Sequence, residues 1–238
     1  MPILMKAIIS LFKTNKDLLL FIVLMVVFRS SFADINRVPT GSMQPTIVEG
    51  DRIVVNKLAY DIQLPLLQTK LLKLDDPKRG DIIIFESKVS NNRLVKRVIG
   101  IPGDIISMQG NQLTINGTSL KYSQGYSDPH SSNVDTPLSA NPDRISLNQY
   151  TDLNEDLLGL NHRVRIHRYG SSSANFNSVT VPKGYYLALG DSRDRSADSR
   201  VIGLIPRKEI IGRSQRTLMS LDPENYYVPR LDRFFKVL

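Results

Sequence analysis

The pattern of apolar and polar residues changes near residue 36. Before it, residues 18–28 form an apolar run without charge, and Lys6, Lys13 and Lys16 precede that run. Because the run is shorter than the roughly 20 residues of a straight membrane span, three interpretations stay open. These are a retained membrane helix, a cleavable signal peptide with a small-x-small site at 31–33, and a buried core helix. The first two keep the lysines in the cytoplasm and place residue 40 onward outside it.

After residue 36 the pattern is that of short strands. Residues 112–117 alternate and end in Asn-Gly, a hairpin signal. Residues 57–76 fit a short helix or an irregular loop, and 121–150, rich in Ser, Asn, Asp and Pro, fit a surface loop. The chain is therefore expected to be mostly β. The runs of β-branched and aromatic residues that predict strands are 51–55, 81–85, 94–99 and 185–189, with Gly-Asp turn signals at their edges.

The density of these runs predicts a division of the chain. The strands of 36–104 and 181–220 are expected to form one β core, and the more polar 105–180 an inserted smaller β/loop domain. The remaining segments are predicted as a cytoplasmic N-terminal segment at 1–17, a transmembrane anchor at 18–35 and a C-terminal tail at 221–238.

Composition narrows the chemistry that is available. The 238 residues include no Cys and three His, which excludes disulfides, thiolate zinc sites and a cysteine nucleophile. The net charge of +8 invites a nucleic-acid or membrane-surface partner. The basic excess lies near the two ends of the chain, however, whereas a nucleic-acid binder more often concentrates it on one stripe.

A small hydroxyl residue stands on a stiffened turn at 38–46. Gly41 frees the backbone beside Ser42, and Pro39 and Pro45 stiffen both sides. A rigid turn hinged by glycine can present an exposed nucleophile. The same composition is also that of an ordinary loop.

A lysine lies among apolar residues in the segment 93–104. With the period of a strand, Lys96 shares one face with Leu94 and Val98. A lysine buried without a carboxylate partner loses proton affinity, and a neutral lysine can act as a general base. The alternative is an edge lysine that reaches solvent.

Acidic and basic residues alternate in the segment 189–203. The interleaved arginines do not fit a calcium loop, so the pattern indicates an ion-paired loop that braces a site. Ser196 and Ser199 could orient a lysine amine from such a loop. The alternative is a purely structural turn held by ion pairs.

Taken together and in this order, the three segments resemble the signature boxes of bacterial type I signal peptidases. The residues that carry the resemblance are Ser-Met-Gln-Pro-Thr at 42–46, Lys-Arg-Gly-Asp at 78–81 with the run at 95–104, and 190–200. The resemblance implies a two-domain antiparallel β-sheet catalytic region preceded by one transmembrane helix. It also favours the retained anchor over a cleaved signal peptide.

The resemblance assigns roles by position. Ser42 matches the nucleophile and Lys96 the general base. Ser196 matches the residue that orients the lysine amine, and the hydroxyl of Thr40 would join the Ser42 N–H in the oxyanion hole. The supporting residues of the last box would be Asp191, Arg193, Asp198 and Arg200.

The expected substrate is an extended peptide that adds as a strand beside residues 36–38 and 93–95. Small apolar pockets would then select small residues. The candidate lining residues are Val38, Ile47, Ile84 and Val95.

The function expected is that of a membrane-bound serine endopeptidase that removes signal peptides from exported preproteins after a small-x-small site. No cofactor and no metal are expected. The expected partners are signal-peptide-bearing preproteins and the lipid bilayer. No nucleic-acid partner is expected, and the protein is expected to be a monomer. The expected location is the bacterial plasma membrane, crossed once, with the N-terminus cytoplasmic and the catalytic part outside.

Two alternatives remain at this point. One is a conjugation-type Ser-Lys peptidase that processes one pilin or transfer precursor. The other is a membrane-anchored basic binding domain without enzymatic activity.

Overall fold

Antiparallel strands make up most of the regular structure in the computed structural model, which describes residues 15–64, 69–124 and 149–238. The strands are β1 (Ala33–Arg37), β2 (Asp51–Asn56), β3 (Asp61–Gln63), β4 (Lys70–Lys73), β5 (Ile82–Ser87), β6 (Asn92–Gly100), β7 (Ile105–Gln109), β8 (Gln112–Ile115), β9 (Thr118–Ser119), β10 (Lys121–Gln124), β11 (Tyr150–Asp156), β12 (Asn161–His167), β13 (Phe176–Thr180), β14 (Tyr185–Leu189), β15 (Ile205–Pro206), β16 (Ile210–Asp222) and β17 (Val228–Pro229). The α-helices are α1 (Lys16–Ser31) and α2 (Ser199–Ile202), and 3-10 turns lie at Gly41–Met43, Lys57–Ala59, Ser172–Ala174, Arg193–Arg195, Arg207–Glu209 and Leu231–Arg233.

Helix α1 carries the apolar run of the N-terminus. It covers Lys16–Ser31, and its Leu20 is 58% exposed. Across the described residues, no helix combines the length and the hydropathy that a membrane span requires. Residues 33–35 lie in β1, and residues 1–14 lie outside the described part of the chain. The anchor at 18–35 stays a prediction.

One sheet joins the two parts of the chain that were predicted to share a core. Its order is β1-β2-β16-β5-β6-β14-β15, with β17 paired to β16. Every pair is antiparallel, and β16 pairs with β5 on one side and β2 on the other. Early and late strands therefore interleave in a single sheet. The mostly β, antiparallel fold class is confirmed, whereas the domain boundaries stay predictions.

The segment between these parts forms two smaller sheets, β13-β7-β8-β9 and β10-β11-β12. The predicted hairpin turn is present between β8 and β9, where Asn116 and Gly117 have φ of 49° and 79°. Residues 121–124 form β10 rather than the start of a surface loop, and 125–148 lie outside the described residues.

Residues 57–76 differ from the sequence expectation of a short helix or an irregular loop. They contain a 3-10 turn and the hairpin β3–β4. Two side chains tie this hairpin to β16: Lys70 Nζ donates to the Ile210 carbonyl at 2.8 Å, and Gln63 Nε2 to the Ile211 carbonyl at 3.2 Å. These partners lie about 140 residues further along the chain, so local sequence patterns carry no sign of them.

The main sheet is buried on both faces. Ile84 on β5 faces one apolar cluster, and its neighbours Ile83 and Phe85 face another, as the two-residue period of a strand requires. A third cluster joins the smaller sheets to the main one. Its buried members are Ile99, Ile106, Met108, Leu113, Ile115, Leu120, Leu157, Val181, Leu187 and Leu189.

The segment predicted as a C-terminal tail supplies a buried ion pair. The guanidinium of Arg233 donates to both carboxylate oxygens of Asp51 at 3.0 and 2.6 Å, and also to the carbonyl of Thr46 at 3.0 Å. Both charged side chains are almost completely buried. The chain after residue 222 thereby holds the start of β2.

Replacing Arg233 by methionine is expected to destabilise the fold strongly. The variant keeps most of the side-chain volume but leaves the Asp51 carboxylate buried and unpaired, which typically costs about 3–5 kcal/mol. Urea unfolding followed by circular dichroism measures this loss. The matched control is Arg230→Met, whose pair with Asp222 is partly exposed and is expected to contribute about 1 kcal/mol or less. Equal losses in the two variants would contradict the assignment.

Candidate active site

Ser42 lies in the 3-10 turn Gly41–Met43, between β1 and β2. The turn is anchored by Met43, which is completely buried in the cluster that also contains Val38 and Ile47. Thr40 precedes the turn in an extended conformation, and its exposed side chain makes no capping hydrogen bond. Apolar residues on both sides of the turn therefore fix its backbone and leave Ser42 half-buried at its surface.

The amine of Lys96 meets the hydroxyl of Ser42. Lys96 Nζ donates a hydrogen bond to Ser42 Oγ at 2.9 Å and another to the carbonyl of Val95 at 2.9 Å. The lysine is only 2% exposed, and Ile83, directly opposite it on β5, is completely buried. The structure thus brings the two candidate catalytic residues together across 54 residues of sequence.

The surroundings of Lys96 favour its neutral form. Burial lowers the pKa of the amine from its ordinary value of 10.5 to about 8. The charges of Asp198 and Asp191 oppose this shift, and the charge of Arg200 adds to it. At pH 7 a pKa of about 8 leaves roughly 10% of the amine uncharged, against about 0.03% for a pKa of 10.5.

Asp198 holds the end of β14 and the start of α2. Its completely buried carboxylate accepts hydrogen bonds from the backbone N–H of Gly190 at 3.0 Å and of Arg200 at 3.2 Å. The guanidinium of Arg200 donates to both oxygens of the same carboxylate, at 2.8 and 2.6 Å. A further hydrogen bond connects α2 to β14, because Ser199 Oγ accepts from the N–H of Ala188. The predicted supporting pair therefore braces the loop that faces Lys96.

Gly190 is the point where Ser196 and the serine turn meet. A β-carbon at this position would lie 2.3 Å from Ser196 Oγ and 2.5 Å from the carbonyl oxygen of Ser42, so a larger residue does not fit. Ser196 Oγ is enclosed and has no hydrogen-bond partner among the described residues. Leaving an enclosed hydroxyl without a partner costs free energy, so Ser196 is unusual among buried polar groups.

Asp191 and Arg193 each have a buried partner outside their own loop. Asp191 receives a bidentate pair from Arg97, the neighbour of Lys96, at 2.9 and 2.8 Å. Burial alone would raise the pKa of Asp191, but the Arg97 guanidinium holds it below its usual range. Arg193 donates to Glu155 of β11 at 2.7 Å. No sequence pattern points to Arg97 or Glu155, because only the fold places them beside these partners.

The four candidate pocket residues lie in one apolar cluster. Val38, Ile47 and Ile84 are buried, and Val95 packs against them partly exposed. Their assignment as a substrate pocket stays a prediction. An open cavity of about 710 Å³ lies beside Ile211 and does not include Ser42 or Lys96. Within the described ranges, no group of three or more His, Asp or Glu side chains is placed to hold a metal ion.

Comparisons with known proteins agree with the sequence resemblance. The model of the family described as signal peptidase, peptidase S26, matches residues 11–219. The signal peptidase I of Pseudomonas fluorescens is 32% identical over 228 residues, covering 90% of this chain and 74% of that protein. The signal peptidase I of Pseudomonas aeruginosa is 33% identical with the same coverage, and that of Bacillus licheniformis is 30% identical, covering 87% of each chain. Because the family match spans most of its length, the chain belongs to the peptidase S26 family of signal peptidases, which are serine endopeptidases.

Proposed function

We propose that this protein removes signal peptides from exported preproteins after a small-x-small sequence, with Ser42 as nucleophile and Lys96 as general base. One observation carries the mechanism. The buried amine of Lys96, with a pKa of about 8, lies 2.9 Å from the hydroxyl of Ser42. A base must lie within hydrogen-bond reach of the proton that it removes and be uncharged in a useful fraction of molecules.

The chemical steps follow from this contact. The neutral Lys96 amine takes the hydroxyl proton as Ser42 Oγ attacks the scissile carbonyl carbon. The resulting ammonium then protonates the leaving amine as the peptide bond breaks, which leaves an acyl-enzyme ester. The same amine then deprotonates a water molecule, whose oxygen attacks the ester carbon. The bond from that carbon to Ser42 Oγ breaks, and the lysine ammonium returns the proton to Oγ, which restores both Ser42 and the neutral amine. This is the Ser-Lys form of triad chemistry, which needs no histidine.

Two hydroxyl groups would assist these steps. Thr40 makes no capping hydrogen bond, so its hydroxyl can join the Ser42 N–H as a donor to the oxyanion. Ser196 Oγ is enclosed beside Gly190 and the carbonyl of Ser42. We assign it the orienting role, in which the hydroxyl would hydrogen-bond to the Lys96 amine during the reaction and hold it toward Ser42. In the structure this hydroxyl has no partner among the described residues.

The substrate would bind between two sheet edges. In the described residues β1 is an edge strand of the main sheet. The second edge belongs to β6: its neighbour β14 pairs with it only from Arg97 onward, so residues 93–95 of β6 have no strand on that side. Arg93 Nη1 lies 3.5 Å from Asn36 Oδ1 of β1, so side chains from the two edges meet. An extended peptide placed there can hydrogen-bond to both edges and direct alternate side chains toward the pocket candidates Val38 and Val95.

The proposal extends to the membrane. The apolar run of α1 and the lysines before it suit a single-pass anchor with a cytoplasmic N-terminus. Such an anchor would hold the catalytic part outside the cytoplasm, at the plasma membrane where signal peptides emerge. The protein would act there as a monomer.

Loss of either catalytic residue is expected to abolish cleavage. Ser42→Ala removes the nucleophile and Lys96→Met removes the base, and each is expected to lower kcat/KM by at least about 1,000-fold. Cleavage of several unrelated preproteins in detergent or lipid measures this. The matched controls are Ser90→Ala and Lys88→Met in the β5–β6 turn, which are expected to keep wild-type rates.

Normal cleavage by either active-site variant would overturn the mechanism, provided that circular dichroism shows all variants to be folded. Cleavage of one preprotein alone by the wild type would instead favour a dedicated processing peptidase.

The activity is expected to depend on pH through Lys96. Below a pH of about 8 the amine becomes protonated and cannot accept the Ser42 proton, so kcat/KM should fall about tenfold per pH unit. Rate profiles between pH 6 and 11, with folding checked at each pH, measure the midpoint. An inflection near 10.5 would show that the amine is not desolvated in the working enzyme.

A further inference from the structure

Strand β12, in the segment 105–180 to which the sequence assigned no task, reaches the serine turn through one buried arginine. Arg165 is 8% exposed. Its Nε and Nη2 donate to the two carboxylate oxygens of Asp152 at 2.7 and 2.9 Å. Its Nη1 donates to Oε1 of Gln44, two residues after Ser42, at 3.0 Å. Because Asp152 fixes the guanidinium on two sides, the third contact holds Gln44 in one position.

The backbone of the same strand reaches the other side of the serine. The N–H of Arg165 donates to the carbonyl of Asp191 at 2.8 Å, and Arg165 forms a parallel bridge with Ser192. The N–H of Ser192 in turn donates to the carbonyl oxygen of Ser42 at 3.1 Å. Strand β12 therefore restricts the position of Ser42 in two ways. It contacts Gln44, which follows Ser42 in the chain, and it pairs with the 190–200 loop, which binds the Ser42 carbonyl.

Gln44 controls the peptide group that leads into Ser42. Its backbone N–H donates to the carbonyl of Gly41 at 3.0 Å. Its side-chain amide lies over Gly41, 3.1 Å from where a β-carbon would be. In a trans peptide the carbonyl and the following N–H point in opposite directions. Fixing the Gly41 carbonyl therefore also fixes the direction of the Ser42 N–H.

We propose that Arg165 is a positioning residue that aims the Ser42 N–H at the oxyanion, acting through Gln44. The inserted segment would thus preorganise the oxyanion hole rather than only cover the core. This inference rests on the proposed function of Ser42. It concerns the transition state, where the donor meets developing charge, so kcat should respond and KM should not.

A control distinguishes positioning from general support of the fold. Arg163 lies two residues earlier on β12 and donates to the same carboxylate of Asp152 at 3.3 Å. Arg163→Ala therefore removes an arginine from the same strand and the same ion-pair group. It leaves the contact from Arg165 to Gln44 in place.

The test measures kcat and KM for preprotein cleavage in the full-length variants. Arg165→Ala is expected to lower kcat about 10- to 100-fold, less than or similar to the loss of a complete oxyanion donor, with KM changed less than about twofold. Gln44→Ala is expected to lower kcat by a similar factor. The double variant should lose no more than the larger single loss, since both changes remove the same contact between Arg165 and Gln44.

Arg165→Lys should recover part of the activity, because an ammonium group can still donate to Gln44. The midpoint of the pH profile should stay unchanged, since Lys96 keeps its surroundings.

Several outcomes would overturn the inference. These are a loss in Arg163→Ala equal to that in Arg165→Ala, a change confined to KM, or losses that multiply fully in the double variant. If Arg165→Ala does not fold, Gln44→Ala and Arg165→Lys carry the same test. Failure of the proposed function is separate, because it would appear as continued cleavage by Ser42→Ala.

Discussion

The candidate site is organised around the hydrogen bond between the buried amine of Lys96 and the hydroxyl of Ser42. A lysine whose pKa falls from 10.5 to about 8 costs the folded state about 3 kcal/mol at neutral pH. The nearby carboxylates raise the pKa of Lys96, and the fold weakens this effect by pairing each of them with an arginine. Asp191 is held by Arg97 and Asp198 by Arg200. Neither carboxylate is therefore left as an unpaired partner that would keep the lysine charged.

The chain topology explains how this contact is built from distant segments. The serine turn joins two neighbouring strands, β1 and β2, whereas the lysine lies on β6 and the bracing loop follows β14. Strand β16 connects β2 to β5 in the sheet, so the early and late parts of the chain fold around one another. The inserted strand β12 then contacts both the bracing loop and Gln44. Each of the two proposed catalytic groups is thus held by at least two separate elements, as preorganised chemistry requires.

The sequence predicted the features that depend on local patterns. The β-branched runs at 81–85 and 185–189 became β5 and β14 almost at the predicted bounds, since such strands are specified by their own residues and the turns beside them. The pairing of Ser42 with Lys96 was implied by the family resemblance, and no sequence pattern gave its geometry. The partners of buried polar groups were missed, as with Arg165 and Gln44, which lie 121 residues apart. A strand pattern shows which face a residue occupies, but not which distant side chain the fold will bring to it.

Burial lowers the pKa of Lys96 enough for part of the amine to be uncharged near neutral pH, and direct titration of that amine measures this effect. Nuclear magnetic resonance of the full-length protein with labelled lysine can follow the Lys96 signal with pH, assigned by its absence in Lys96→Met. A midpoint near 8 is expected, well below the ordinary lysine pKa of 10.5. A midpoint near 10.5 would show that burial does not lower the pKa of Lys96 and that the amine is not available as a neutral base at pH 7.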